Sequence, residues 1–95
     1  MKVINAPKLY DYWTKYPQTK KPLQAFLAEV DTAKWKTPND LKRSYPSASI
    51  INSGTIVINI RGNNNRLVIR VRWQAELIAV EFIGTHKEYD ELKLE

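Results

Sequence analysis

The hydrophobic pattern of this chain changes period once, at Pro46. Before it, apolar residues recur every three or four positions, as on one face of a helix with about 3.6 residues per turn. After it, apolar and polar residues alternate and β-branched side chains dominate, which is the pattern of half-buried strands. A chain with helices first and a run of strands afterwards folds as α+β, with the helices on one face of a mainly antiparallel sheet.

The elements follow from this pattern. Met1–Ile4 is apolar enough for a short strand that joins the sheet. Asn5 is a candidate cap and Pro7 a first-turn residue for a helix to about Tyr16, whose stripe is Leu9, Tyr12, Trp13 and Tyr16. Pro17 ends it. Thr19 caps a second helix expected from about Lys20 to Trp35, with Leu23, Phe26, Leu27 and Val30 as its stripe, so the two helices form a hairpin. Trp13 and Trp35 are core candidates on these stripes. Thr37 and Pro38 start a further short helix that Pro46 stops. Strands are expected at Ala48–Asn52, Thr55–Arg61, Arg66–Trp73 and Leu77–Ile83, joined by connectors short enough for antiparallel hairpins, and a partial helix over Thr85–Leu94. Gly62-Asn63-Asn64-Asn65 reads as a hairpin turn. With 95 residues the expectation is a single domain, residues 1–95.

Charge is unevenly placed. The net charge is +5; residues 1–45 hold nine basic and four acidic side chains, and residues 76–95 hold two basic and six acidic ones. Between them, residues 46–75 hold Arg61, Arg66, Arg70 and Arg72 and no acid. Alternation turns Ile56, Ile58 and Ile60 toward the helices, with Leu67, Ile69, Val71 and Trp73, and sends Arg61, Arg66, Arg70 and Arg72 to the opposite face. In the last strand the bulkier set, Ile78, Val80 and Phe82, is expected inward, which leaves Glu81 among the arginines. Clustered guanidinium groups are permanently charged planar forks that match phosphate oxygens, so this face points to RNA or another polyanion. A plain solvated face, with Arg61 and Arg70 paired to Glu81, is the competing expectation.

The one histidine, His86, lies in Gly84-Thr85-His86-Lys87-Glu88-Tyr89-Asp90. If Gly84 turns the chain, His86 and Tyr89 share a first helical turn beside the arginine face and form a candidate proton-transfer pair. A surface or capping role for the histidine is the alternative. One histidine and no cysteine cannot make the usual zinc sets, and the carboxylates lack calcium-loop spacing, so no metal site is expected. The glycines do not form a P-loop. Nothing approaches the apolar run of a membrane span or signal peptide, so a cytoplasmic protein is expected.

Three segments in this order, Tyr45-Pro46-Ser47-Ala48-Ser49, Gly62-Asn63 followed by Arg66-Leu67-Val68, and Gly84-Thr85-His86-Lys87-Glu88-Tyr89-Asp90, resemble the HigB toxins of type II toxin–antitoxin systems, within the RelE-like superfamily. The match covers nearly the whole chain. It implies a RelE-like fold and a metal-independent endoribonuclease with no cofactor, acting on mRNA in the ribosomal A site. The substrate 2′-hydroxyl would attack the adjacent phosphate to leave a 2′,3′-cyclic phosphate. By position His86, Tyr89 and Arg66 match the catalytic set, and Arg61, Arg70, Arg72 and Asn63 the RNA-binding one. The implied partner is a helix-turn-helix antitoxin. Two positions depart from the pattern. Asn65 stands where relatives often carry an aromatic or aliphatic residue, so a base stacked there needs another platform, and Arg61 stands where lysine is common. Two other readings keep the same arginine face: a non-catalytic RNA- or ribosome-binding module, and a protein-interaction domain that uses an exposed strand edge.

Overall fold

The computed structural model describes residues 1–61 and 64–92. Their order is β1 (Lys2–Ile4), α1 (Pro7–Lys15), α2 (Lys20–Thr32), α3 (Pro38–Ser44), β2 (Ser49–Asn52), β3 (Thr55–Ile60), β4 (Asn65–Arg72), β5 (Leu77–Thr85) and α4 (His86–Asp90). The five strands lie in the order β1-β5-β4-β3-β2. The β2–β3, β3–β4 and β4–β5 pairs are antiparallel and β1 joins β5 in parallel, so the α+β architecture is as expected. No helix is long and apolar enough to cross a membrane among the described residues.

Both helical stripes pack on the expected sheet face. Leu9 and Tyr12 of α1, Leu23, Phe26 and Val30 of α2, and Leu41 of α3 share one buried cluster with Ile56, Ile58, Ile60, Leu67, Ile69, Val71, Ile78 and Val80. These side chains are almost wholly removed from water, each worth roughly 1.5–3 kcal/mol of transfer free energy.

Helix boundaries are where local rules yield. Asn5 does not cap α1: its φ is 67°, and the residue at the cap position, Ala6, makes no side-chain cap bond. Asn5 instead turns the chain out of β1 through the left-handed region that asparagine tolerates. Thr19 stands before α2, but its hydroxyl donates backward to the Tyr16 carbonyl at 2.7 Å, closing a 3₁₀ turn over Pro17–Thr19. Helix α2 stops at Thr32 rather than Trp35, because Ala33 is extended (ψ 144°). Trp35 is buried all the same, reaching the core from the linker with its ring edge-on to Tyr45 at 6.3 Å. At α3 the expected cap forms in full, with Thr37 Oγ1 accepting from the Asp40 amide and Asp40 accepting from the Thr37 amide.

Candidate functional site

The centre of the site is the open face of β3, β4 and β5. Asn59 stands opposite Arg66, and Arg66 opposite Gly84; one step on, Val57 faces Val68 and Val68 faces Phe82; then Thr55 faces Arg70 and Arg70 faces Ala79. Arg66, Arg70 and Arg72 thus share the face away from the helices, as alternation requires.

Two residues of that face are not where the alternation puts them. Along β4–β5, Val68 pairs with Phe82 but Ile69 pairs with Val80, so Glu81 has no partner and the ladder shifts there. This extra residue is a β-bulge, which reverses the facing of everything beyond it. Ile83 therefore packs against the core, and Phe82 joins Val68 on the arginine side instead of facing the helices. The second is Arg61. Strand β3 ends at Ile60, and Arg61 sits exposed in the turn with φ 55°, so a left-handed turn rather than strand alternation sets its direction. Asn63 lies outside the described residues.

Glu81 reaches the arginines, as expected. Its Oε2 is 3.5 Å from Arg70 Nε, and both side chains are about half exposed or more (47% and 64%), a pairing that solvent weakens. Arg72 continues the line to the end of β4 and is exposed.

Beyond β5 the chain enters α4 through a capping box. Thr85 Oγ1 accepts from the Glu88 amide at 3.1 Å, and the Thr85 amide donates to Glu88 Oε1 at 2.8 Å. Threonine, not histidine, is the cap. The His86 amide donates to the Asn64 carbonyl at 3.0 Å, tying the start of α4 to the β3–β4 turn. One turn later the Tyr89 ring lies 5.8 Å below the Arg66 guanidinium. His86 Nδ1 is 2.9 Å from Asp90 Oδ2, an i to i+4 contact that holds the imidazole by one nitrogen. Asp90 was not expected in the site, although its spacing from His86 is visible in the chain.

Asn65, the residue before Arg66, is 4% exposed. It accepts a 2.6 Å hydrogen bond from the Tyr12 hydroxyl, and its amide nitrogen donates to the Ile60 carbonyl at 3.4 Å. It also stands opposite Thr85 in the ladder. A buried asparagine that joins α1, β3 and the entry to α4 cannot offer a surface for a base. Among the described residues, no three histidine, aspartate or glutamate side chains gather into a possible metal site.

The family model for HigB toxins, described as the RelE-like toxic component of a toxin–antitoxin system, matches residues 19–92. The chain belongs to the HigB toxin family. It is 33% identical over 92 residues to the mRNA interferase toxin HigB of Escherichia coli strain K12, covering 95% of this chain and 88% of that one. An mRNA interferase HigB of Shigella flexneri matches with the same identity and coverage. A more distant HigB, from Escherichia coli O6:H1, is 22% identical over 94 residues. The HigB match takes in α2 through α4, hence every residue of the arginine face and of the His86–Tyr89 turn.

Proposed function

We propose that this HigB family member is an endoribonuclease that cuts messenger RNA by internal transesterification, with the message held in the ribosomal A site. The observation that carries the reading is the stacking of Arg66 on Tyr89, one helical turn from His86. In the proposed reaction the 2′-oxygen forms a bond to the adjacent phosphorus and the bond from phosphorus to the 5′-oxygen breaks. One proton leaves the 2′-hydroxyl and one reaches the departing oxygen, and His86 and Tyr89 carry these two transfers. Arg66 neutralises the charge that builds on the phosphorane oxygens. Arg61, Arg70, Arg72 and Asn63 bind the RNA away from the scissile bond. The products are a 2′,3′-cyclic phosphate and a 5′-hydroxyl. The protein acts in the cytoplasm and is held silent by an antitoxin bearing a helix-turn-helix domain.

The test is to induce the wild type and the His86→Ala, Tyr89→Ala and Arg66→Ala variants in cells, and to map message ends with and without translation. Wild type should arrest growth and leave cyclic-phosphate ends, and each variant should lose roughly 10²–10⁴-fold in cleavage. Message binding without any cyclic-phosphate product would make the protein a binding module instead. Undiminished cleavage by all three variants would remove these residues from the site.

A further inference from the structure

The end of the sheet farthest from α4 holds a second cationic recess. It has a volume of about 810 Å³ and is lined by Lys36, Asn52, Gly54, Arg70, Arg72 and Trp73 among others, with no aspartate or glutamate in its wall among the described residues. Three cations from two distant parts of the chain line it: Lys36 from the linker between α2 and α3, and Arg70 and Arg72 from β4. Among the described residues, the Lys36 and Arg72 side chains make no ion pair, and both residues are exposed. The wall behind them is fixed. Trp73 Nε1 donates to the Ser53 carbonyl at 2.6 Å, the Gly54 amide donates to Asn52 Oδ1 at 2.9 Å, and the Val71 amide donates to the Gly54 carbonyl at 2.9 Å. Arg70 is held by Glu81 at 3.5 Å, so the two cations without a carboxylate partner are Lys36 and Arg72, and a fixed polar wall carrying two such cations favours an anion.

We infer that this recess is a distal RNA subsite that takes phosphodiester backbone several nucleotides from the scissile bond. The inference rests on the nuclease reading of the arginine face. Arg66 and Arg72 point the same way from β4, six residues apart, so about 20 Å separates the reacting phosphate from the recess. Arg70 lies between them and borders the recess, its weak, solvent-exposed pairing with Glu81 being one that a phosphate can displace. A small free anion would use one end of that track; a strand of RNA uses its length. The bound backbone belongs either to the message or to ribosomal RNA.

The experiment measures the salt dependence of binding in a His86→Ala background, which removes cleavage. One arm uses a single-stranded RNA dodecamer as message, and the other uses purified small ribosomal subunits. Adding Lys36→Gln and Arg72→Gln together should reduce the slope of log affinity against log salt by about 1.4, about 0.7 for each phosphate no longer neutralised. A reduction with the dodecamer assigns the subsite to message, and one with ribosomal subunits alone assigns it to ribosomal RNA. A slope unchanged in both arms, while Arg66→Gln still lowers it, overturns the distal subsite and leaves the nuclease reading standing. Absence of RNA binding in both arms overturns the subsite, and the mapping of message ends by the wild type then judges the nuclease reading by itself.

Discussion

Arg66 stands over the ring of Tyr89, with its guanidinium carbon 5.8 Å from the ring centre. The contact joins the middle of the sheet's open face to the one turn of helix that follows it, and each residue limits the freedom of the other. A guanidinium on an aromatic face gains on the order of 0.5–1 kcal/mol at an exposed site. Its larger consequence is geometric, because the groups proposed to neutralise charge and to transfer a proton are held side by side before substrate arrives.

Substitutions at Tyr89 should separate these two contributions. Tyr89→Phe keeps the ring under Arg66 and removes the hydroxyl, so kcat should fall at least about 10²-fold with little change in KM. Tyr89→Leu also removes the platform and should raise KM as Arg66 loses its position. Single-turnover cleavage on programmed ribosomes distinguishes the two. Equal activity of Tyr89→Phe and wild type would remove the hydroxyl from the chemistry.

Asp90 should matter to the reaction and hardly at all to the fold. Its contact with His86 is exposed on both sides, at 57% and 49%, so Asp90→Asn should leave unfolding free energy within about 0.5 kcal/mol of wild type. Cleavage should nevertheless fall roughly ten- to a hundredfold, since the imidazole loses the partner that orients it. Urea unfolding and cleavage rates measured on the same preparation test both halves, and a proportional fall in stability would recast Asp90 as structural.

Gly84 is needed for space. A Cβ built there would lie 2.5 Å from Phe82 Cζ and 2.9 Å from Glu88 Oε1, closer than real Cβ contacts come. Gly84→Ala should cost about 1–3 kcal/mol by overpacking and should loosen the Thr85–Glu88 cap. Because the ring of Phe82 makes the tightest contact, Phe82→Leu in the same chain should recover part of the loss. A Gly84→Ala protein as stable as wild type would show that the ring moves aside freely.

The legible parts of this protein were those governed by local rules. The change of period at Pro46 located the sheet, and the spacing of His86 and Tyr89 placed them on one turn of helix. What escaped was decided by tertiary context. Alternation runs on smoothly through Glu81, so nothing in the local pattern reveals the bulge that brings Phe82 to the arginine face. Arg61 continues the strand pattern, yet the turn begins one residue before Gly62. Asn65 looks like an ordinary turn residue, and its burial depends on Tyr12, far away in the chain. Lys36 and Arg72 line one recess only because the α2–α3 linker passes the end of β4.

The burial of the Tyr12 hydroxyl gives the fold an alkaline limit. Burial, with Tyr16 and Glu88 nearby, pushes the Tyr12 hydroxyl up to about 12 from an ordinary value of 10.0. Burial and the neighbouring Glu29 push Tyr45 up to about 12 as well. Below pH 10 both hydroxyls are protonated in the native and the unfolded chain, and their contribution is fully present. Between about pH 10 and 12 the unfolded chain releases these protons while the native protein keeps them, so the native state binds more protons and stability falls as pH rises. The urea midpoint should therefore decline across this window. Tyr12→Phe should flatten part of the decline, and should cost about 1–2 kcal/mol at pH 7 because Asn65 Oδ1 is left buried without its donor. Tyr45→Phe should flatten the decline too, but it leaves Asn65 satisfied and should cost less at neutral pH. An alkaline decline that neither substitution alters would mean that these two tyrosines do not set the limit.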